Sequence, residues 1–234
     1  MTATQRDVQR EGFTRAIESG DYADDFRHAP KHVGFAARVL APLLAERSGR
    51  VLEVGCGNGA WLREVAAIAG ASWQLHGFDL TPAMIGSARR VLRDAGVPAE
   101  LKLGDALDPA AYAFPSRTES GFDLVYAYDL VQQLPRAEQF AVCLRMYEHV
   151  APGGSLVVFD HERWSGYGLR MGFRKLVTRS GLYEWVPRYF CNARYPSLRE
   201  LARRLGHAGS RTQIITDCAV EKRALVACRP AKVV

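Results

Sequence analysis

The spacing of apolar residues changes character near residue 49. Upstream, Val33, Ala36, Ala37, Leu40, Leu43 and Leu44 recur at intervals of three and four, which predicts one face of a helix that Pro30 can begin. Downstream, short apolar runs alternate with helical patterns: Val51 to Val54, Trp73 to Phe78, Glu100 to Leu103, Phe122 to Tyr126 and Ser155 to Phe159. Several runs are apolar almost throughout, as strands covered on both faces must be, so the alternation predicts β-α units around a mainly parallel sheet.

Two helices between the runs carry their own end signals. Thr81 can cap the first amides, Pro82 suits the first helical position, and Gly96 can take the left-handed conformation that closes the last turn. Between them Met84, Ile85, Ala88, Val91, Leu92 and Ala95 form one apolar stripe. A second amphipathic stretch, Ala137 to Val150, runs to Pro152-Gly153-Gly154, a stop signal before the fifth run. Residues 161–196 then hold eight aromatics with seven basic residues interleaved, and read as an insertion folded over a substrate. Regularity returns as a helix from Ser197 to Leu205, followed by Gln213 to Thr216 and Ala224 to Ala227, which can pair as a terminal hairpin.

Composition bounds the answer. At 234 residues and 48% hydrophobic, the chain can bury one sizeable core, in one domain or at most two; a disordered chain and a disulfide miniprotein are excluded. No apolar run reaches the roughly 18 residues that cross a bilayer, and the opening MTATQRDVQREGF lacks a secretory apolar stretch. The expectation is a soluble, cytoplasmic protein with no membrane partner. Five cysteines show neither C-x-x-C spacing nor a zinc-type cluster, so reduced thiols and no metal are expected. The net charge of +6 is uneven: residues 163–211 carry eleven Lys/Arg and two acids, +9, against −3 elsewhere. Basicity this local concerns a patch and a partner.

The first run leads into Glu53-Val54-Gly55-Cys56-Gly57-Asn58-Gly59-Ala60 and then a helical pattern. Glycines at alternate positions let the chain turn sharply and bring bare amides against a ligand. Gly55, Gly57 and Ala60 also satisfy the G-x-G-x-x-G/A dinucleotide fingerprint, which keeps a nicotinamide enzyme in view. Against it, Gly59 falls one place early and Glu53 precedes the loop inside the strand. Asp79 ends the second run, where its carboxylate can accept both hydroxyls of a ribose, a feature common to both kinds of enzyme. Asp105 follows the third run in Leu103-Gly104-Asp105-Ala106, in place to meet an adenine amino group. The chain then ends in a helix and hairpin rather than a second nucleotide-binding half.

Glu53-x-Gly55-x-Gly57-x-Gly59, Asp79, Gly104-Asp105, Phe122-Asp123-Leu124-Val125 and Leu134-Pro135 through Pro152-Gly153-Gly154 resemble, in this order, the successive motifs of class I S-adenosylmethionine-dependent methyltransferases. The resemblance runs from about Arg50 to Phe159 and resumes weakly over 197–229. It implies a Rossmann-like three-layer α/β/α sandwich, with a seven-stranded, mainly parallel sheet whose last strand is antiparallel. It also implies a methyltransferase domain over 49–234, with 161–196 as substrate cap, and a helical segment over 1–48 that closes the active site. S-adenosylmethionine would be the cofactor and S-adenosylhomocysteine its product. By position, Gly55, Cys56, Gly57 and Gly59 with Glu53 would lie at the methionine part. Asp79 would bind the ribose, Leu80 would pack on the adenine, and Gly104, Asp105 and Ala106 would meet its edge. Ala127 and Tyr128 would flank the sulfonium. Gln132 and Gln133 stand where the family often has paired histidines, which weakens any base drawn from there.

Some of these residues also have plain structural readings: Glu53 can simply hold loop amides, and Cys56 can fill space between strand and helix. His161, directly after the fifth run and beside Glu162, is the candidate general base, because open α/β folds place ligands at this edge. Tyr22, with Phe26 and His28, would close one side of the site, and Trp164, Tyr167 and Trp185 would wall the substrate. Together these features predict methyl transfer to O or N of a small, aromatic or anionic metabolite, free or carrier-bound. Two alternatives stay open: an RNA methyltransferase that uses the basic aromatic stretch, and a non-catalytic S-adenosylmethionine-binding module.

Overall fold

The computed structural model describes residues 5–20, 22, 30–45, 48–115, 121–179, 193–217 and 219–231. Five parallel strands follow the predicted runs: β1 (Gly49–Val54), β2 (Trp73–Asp79), β3 (Ala99–Leu103), β4 (Phe122–Tyr128) and β5 (Val150–His161). β6 (Arg211–Thr216) and β7 (Lys222–Cys228) form the hairpin, and β7 inserts antiparallel between β5 and β6. The sheet order is β3-β2-β1-β4-β5-β7-β6. The order reverses at β1, so the chain leaves β1 and β4 toward opposite faces of the sheet and opens a crevice at their carboxyl ends, where such sheets bind ligands.

Helices α1 (Gln5–Glu18), α2 (Pro30–Leu44), α3 (Ala60–Ala69), α4 (Pro82–Asp94), α5 (Arg136–Glu148), α6 (Gly166–Arg179) and α7 (Leu198–His207) complete the described elements. Alternation along the strands makes two cores. Leu52, Val54, Val125, Leu156 and Val158 face α5 and α7, while Val51, Leu75, Leu124, Val157 and Phe159 face α2, α3 and α4. This is the three-layer sandwich. Leu62 and Val65 of α3 are fully buried, so truncating Leu62 to alanine costs about 2–5 kcal/mol.

Three local expectations need correction. Pro152-Gly153-Gly154 is no boundary: β5 begins at Val150, and the pairing shifts from Phe122↔Val150 to Leu124↔Ser155, so the segment is a bulge inside a 12-residue strand. Thr81 makes no side-chain cap to α4; its own amide is taken by Asp79 Oδ1 at 2.8 Å. The inner face of α2 includes His32, Phe35 and Val39 and leaves Val33, Ala37 and Leu43 only partly buried, a rotation about the helix axis. Gly96 does close α4 left-handed, at φ 66°, with Val97 N donating to Leu92 O at 2.8 Å.

Candidate functional site

The loop after β1 is stitched to the end of β2. Gly55 N and Cys56 N donate to Phe78 O at 2.9 and 3.0 Å, and Gly57 N donates to Asp79 Oδ2 at 3.0 Å. Asp79 thus clamps the glycine loop with one oxygen and the start of α4 with the other. Burial raises its pKa, and the amide donors oppose that shift. All three loop glycines have positive φ, at 72°, 51° and 79°. Their surroundings differ. A Cβ on Gly57 would meet only the Tyr22 hydroxyl, at 3.5 Å, so this backbone lies open to a ligand. A Cβ on Gly59 would stand 3.0 Å from Ala88 Cβ and 3.1 Å from its Cα, so this glycine lets α4 pack close. Gly59 does not line the cavity, contrary to its expected place at the methionine part.

The cavity at this edge encloses about 1020 Å³, open mouth included, and Glu53, Gly55, Cys56, Gly57, Asp79, Leu80, Gly104, Asp105, Ala106 and Tyr128 all stand on its wall. Asp105 Oδ1 accepts from Leu107 N at 2.9 Å and Oδ2 pairs with Arg6 at 3.0 Å, so the residue is both a turn former and a cavity group. Arg6 also reaches Glu138 at 2.8 Å. α1 therefore lies across the opening and presents Arg6, Gln9, Arg10 and Phe13 to it. Gln9 Nε2 donates to Gln133 Oε1 at 3.0 Å, tying α1 to the segment after β4.

Glu53 is 1% exposed and accepts a hydrogen bond from the Tyr126 hydroxyl at 2.9 Å. Burial pushes its pKa well above the usual carboxylate range. Burial likewise raises the Cys56 thiol, which makes it a filler and a poor nucleophile. Tyr128 stacks on Trp61 with centroids 3.8 Å apart, so an aromatic shelf borders the loop. Ala127 is fully buried in the core and does not reach the cavity. The alternation along β4 points it to the opposite face from Tyr128.

The substrate-side expectations fare differently. His161 is the last residue of β5 and does not line the cavity. Its Nδ1 lies 3.1 Å from Glu221 O and so carries the proton; Nε2 lies 3.3 Å from Lys222 Nζ and accepts. Burial, reinforced by the Lys222 charge, pushes its pKa down to about 3, so it is a neutral ring with its lone pair in use. A base for the cavity is not what this geometry provides. Glu162 instead holds α7, accepting from Leu198 N at 3.0 Å. Tyr167 stacks on His161 at 4.3 Å, and Trp164 is 67% exposed; neither lines the cavity. Tyr22 does line it, whereas Phe26, His28 and Trp185 lie outside the described residues.

Some cavity groups went unforeseen. Arg6, Gln9, Arg10 and Phe13 share one helical face, a polar i, i+3, i+4, i+7 pattern visible in sequence. Asp129, Leu130 and Gln133 also line the wall. Asp129 takes φ 58° right after β4 and pairs with Lys222, a residue that no motif marks.

Residues 51–154 match a family profile described as a methyltransferase domain. The chain is 33% identical over 142 residues to aklanonic acid methyltransferase DauC of Streptomyces sp. (strain C5), covering 60% of this chain and 54% of that relative. The chain thus spans about half the length of this relative. It is 23% identical over 211 residues to demethylmenaquinone methyltransferase of Bacillus velezensis (strain DSM 23117 / BGSC 10A6 / LMG 26770 / FZB42), covering 84% of this chain and 86% of the relative. Among solved structures, magnesium protoporphyrin IX methyltransferase (ChlM) from Synechocystis PCC 6803 with bound SAM has a TM-score of 0.66 at 16% identity, covering 97% of this chain and 98% of that one. This last likeness is one of fold.

Proposed function

We propose that this chain, a class I S-adenosylmethionine-dependent methyltransferase, transfers a methyl group to an oxygen or nitrogen of a small aromatic metabolite. The observation that carries the reading is the single cavity wall on which the glycine loop, Asp79 and the Gly104–Ala106 turn stand together. The relatives' names, which speak of aklanonic acid and demethylmenaquinone, support a small-molecule acceptor. Phe13, Tyr22, Trp61 and Tyr128 on the wall support an aromatic one, since offset and edge-on ring pairs are favourable.

The cavity fits the cofactor. Gly57 offers bare backbone, Asp79 a carboxylate, and Leu80, Met84 and Ala106 an apolar slot between them. Under this reading Asp79 holds the ribose hydroxyls, Leu80 packs on the adenine and Asp105 with Ala106 meets its edge. Gly55 and Gly57 follow the methionine part, with Glu53 bracing the loop behind them. When bound, S-adenosylmethionine supplies a methyl on cationic sulfur, the electrophile of an in-line displacement. The chain's own contribution is alignment and exclusion of water, worth several kcal/mol of the barrier on the order of a well-oriented intramolecular reaction. α1 supplies the exclusion: its Arg6 and Gln9 contacts draw it over the mouth. No histidine stands among the described lining residues, so the reaction leans on positioning.

The test is turnover. Purified chain incubated with labelled S-adenosylmethionine and a panel of aromatic phenols, amines and carboxylates is expected to release S-adenosylhomocysteine with at least one phenol or amine. Binding of the cofactor without turnover on any acceptor would favour a non-catalytic module.

A further inference from the structure

The carboxyl edge holds a second polar cluster beside the cavity, built where β7 runs antiparallel to β5 and brings Lys222 opposite His161. Lys222 Nζ donates to Asp129 Oδ1 and to His161 Nε2, and stands 4.9 Å from the centre of the Tyr128 ring. Gln132 Nε2 donates to the same Asp129 oxygen at 2.8 Å. The Lys222 side chain is 5% exposed and that of Asp129 13%. Of the pair, only Asp129 lines the cavity, next to Tyr128; Lys222 backs it from the sheet.

Such a pair is costly to bury unless hydrogen bonds complete it, and Asp129 adds backbone cost as the one non-glycine residue with positive φ among those described. Asp160, fully buried, is pushed up to about 8 by desolvation and by Asp129, and the His161 and His32 rings are pushed down by desolvation and by Lys222. The cluster shows the cavity the Asp129 carboxylate, with a lysine behind it.

We infer that Asp129 is the acceptor-side carboxylate of this cavity: it faces the cationic sulfur and takes a hydrogen bond from an acceptor bearing an N–H or O–H group. The inference rests on the proposed methyltransferase reading and narrows its acceptor to hydrogen-bond donors. The acceptor's N or O forms the bond to the methyl carbon, the carbon–sulfur bond breaks with its pair going to sulfur, and the acceptor's proton passes to Asp129 and on to water. Lys222 is the positioning residue that holds the carboxylate turned inward.

Calorimetry on the whole chain tests this without the natural acceptor. Sinefungin carries an ammonium-bearing carbon in place of the methylated sulfur, whereas S-adenosylhomocysteine is neutral at that point. The wild type is expected to bind sinefungin about tenfold tighter than S-adenosylhomocysteine, as one charge-assisted hydrogen bond allows. Asp129→Asn, which tolerates the same backbone, should bring the ratio within about threefold of one with S-adenosylhomocysteine affinity unchanged. Lys222→Met, which frees the carboxylate to turn away from the cavity, should lower the ratio toward one. A wild-type ratio near one, a ratio kept in Asp129→Asn, or a ratio that holds or rises in Lys222→Met would overturn the inference. Absence of heat with both compounds in the wild type would instead overturn the cofactor reading beneath it.

Discussion

On the β1–β3 side of the carboxyl edge, the wall is stitched from short-range contacts: Gly57 to Asp79 spans 22 residues, and Asp105 to Leu107 two. On the β4–β5–β7 side the contacts are distant: Lys222 lies 93 residues from Asp129 and 61 from His161, and Gln132 lies 28 from Asp160. The first side presents to the cavity bare backbone and two carboxylates, Asp79 and Asp105, carried on the turns after adjacent strands. The second works through an ion pair that exists only once the antiparallel β7 is in place. A motif can encode the former because its parts travel together in the chain; the latter is a product of topology.

The comparison breaks most readily at Asp79. Asp79→Ala removes the clamp on Gly57 and Thr81 and, on the proposed reading, the acceptor of both ribose hydroxyls, so affinity for S-adenosylmethionine should fall by about a hundredfold or more. Near-wild-type affinity would dissolve the distinction. Next in size is Gly59→Ala, where a Cβ 3.1 Å from the Ala88 backbone combines with φ 79°. Chemical denaturation should show a loss of about 2–4 kcal/mol.

The far side is sharpened by pH. Burial lowers the His161 pKa to about 3 in the folded chain, against about 6.5 unfolded, so the stability it confers is full above pH 6.5 and is lost as pH falls toward 3. Each pH unit below 6.5 should cost up to about 1.4 kcal/mol, and His161→Gln should flatten the slope by about that amount relative to wild type in paired unfolding curves. Equal slopes would show that the ring is not held neutral. The smallest effects are expected at the margins. Arg6→Ala removes two ion pairs about a third exposed, each worth about 0.2–1 kcal/mol, and should weaken cofactor binding less than about fivefold. Trp164→Ala should leave it unchanged.

Much of this architecture was legible in the chain. The five apolar runs, the terminal hairpin and the cavity-lining positions Gly57, Asp79 and Asp105 all follow from local pattern. The failures share a cause. Gly59 sits in the same motif but serves α4, because spacing cannot say which neighbour fills the room beside a glycine. Ala127 and His161 stand at the right sheet edge but turn away from the cavity, and a one-residue step along a strand decides that. Lys222 carries no signal of its own; it acquires a role from its register with His161. Within the aromatic insertion, Trp164 points to solvent at 67% exposure, and Trp185 lies outside the described residues.

The central claim is that the β1–β3 wall grips an adenosyl sulfonium. Titrating the wild-type chain with S-adenosylmethionine in a calorimeter, with NAD in a parallel cell, addresses it directly. The account predicts saturable binding of S-adenosylmethionine near one per chain, displaced by S-adenosylhomocysteine, and no heat from NAD. Saturable NAD binding, or silence from S-adenosylmethionine, would contradict it.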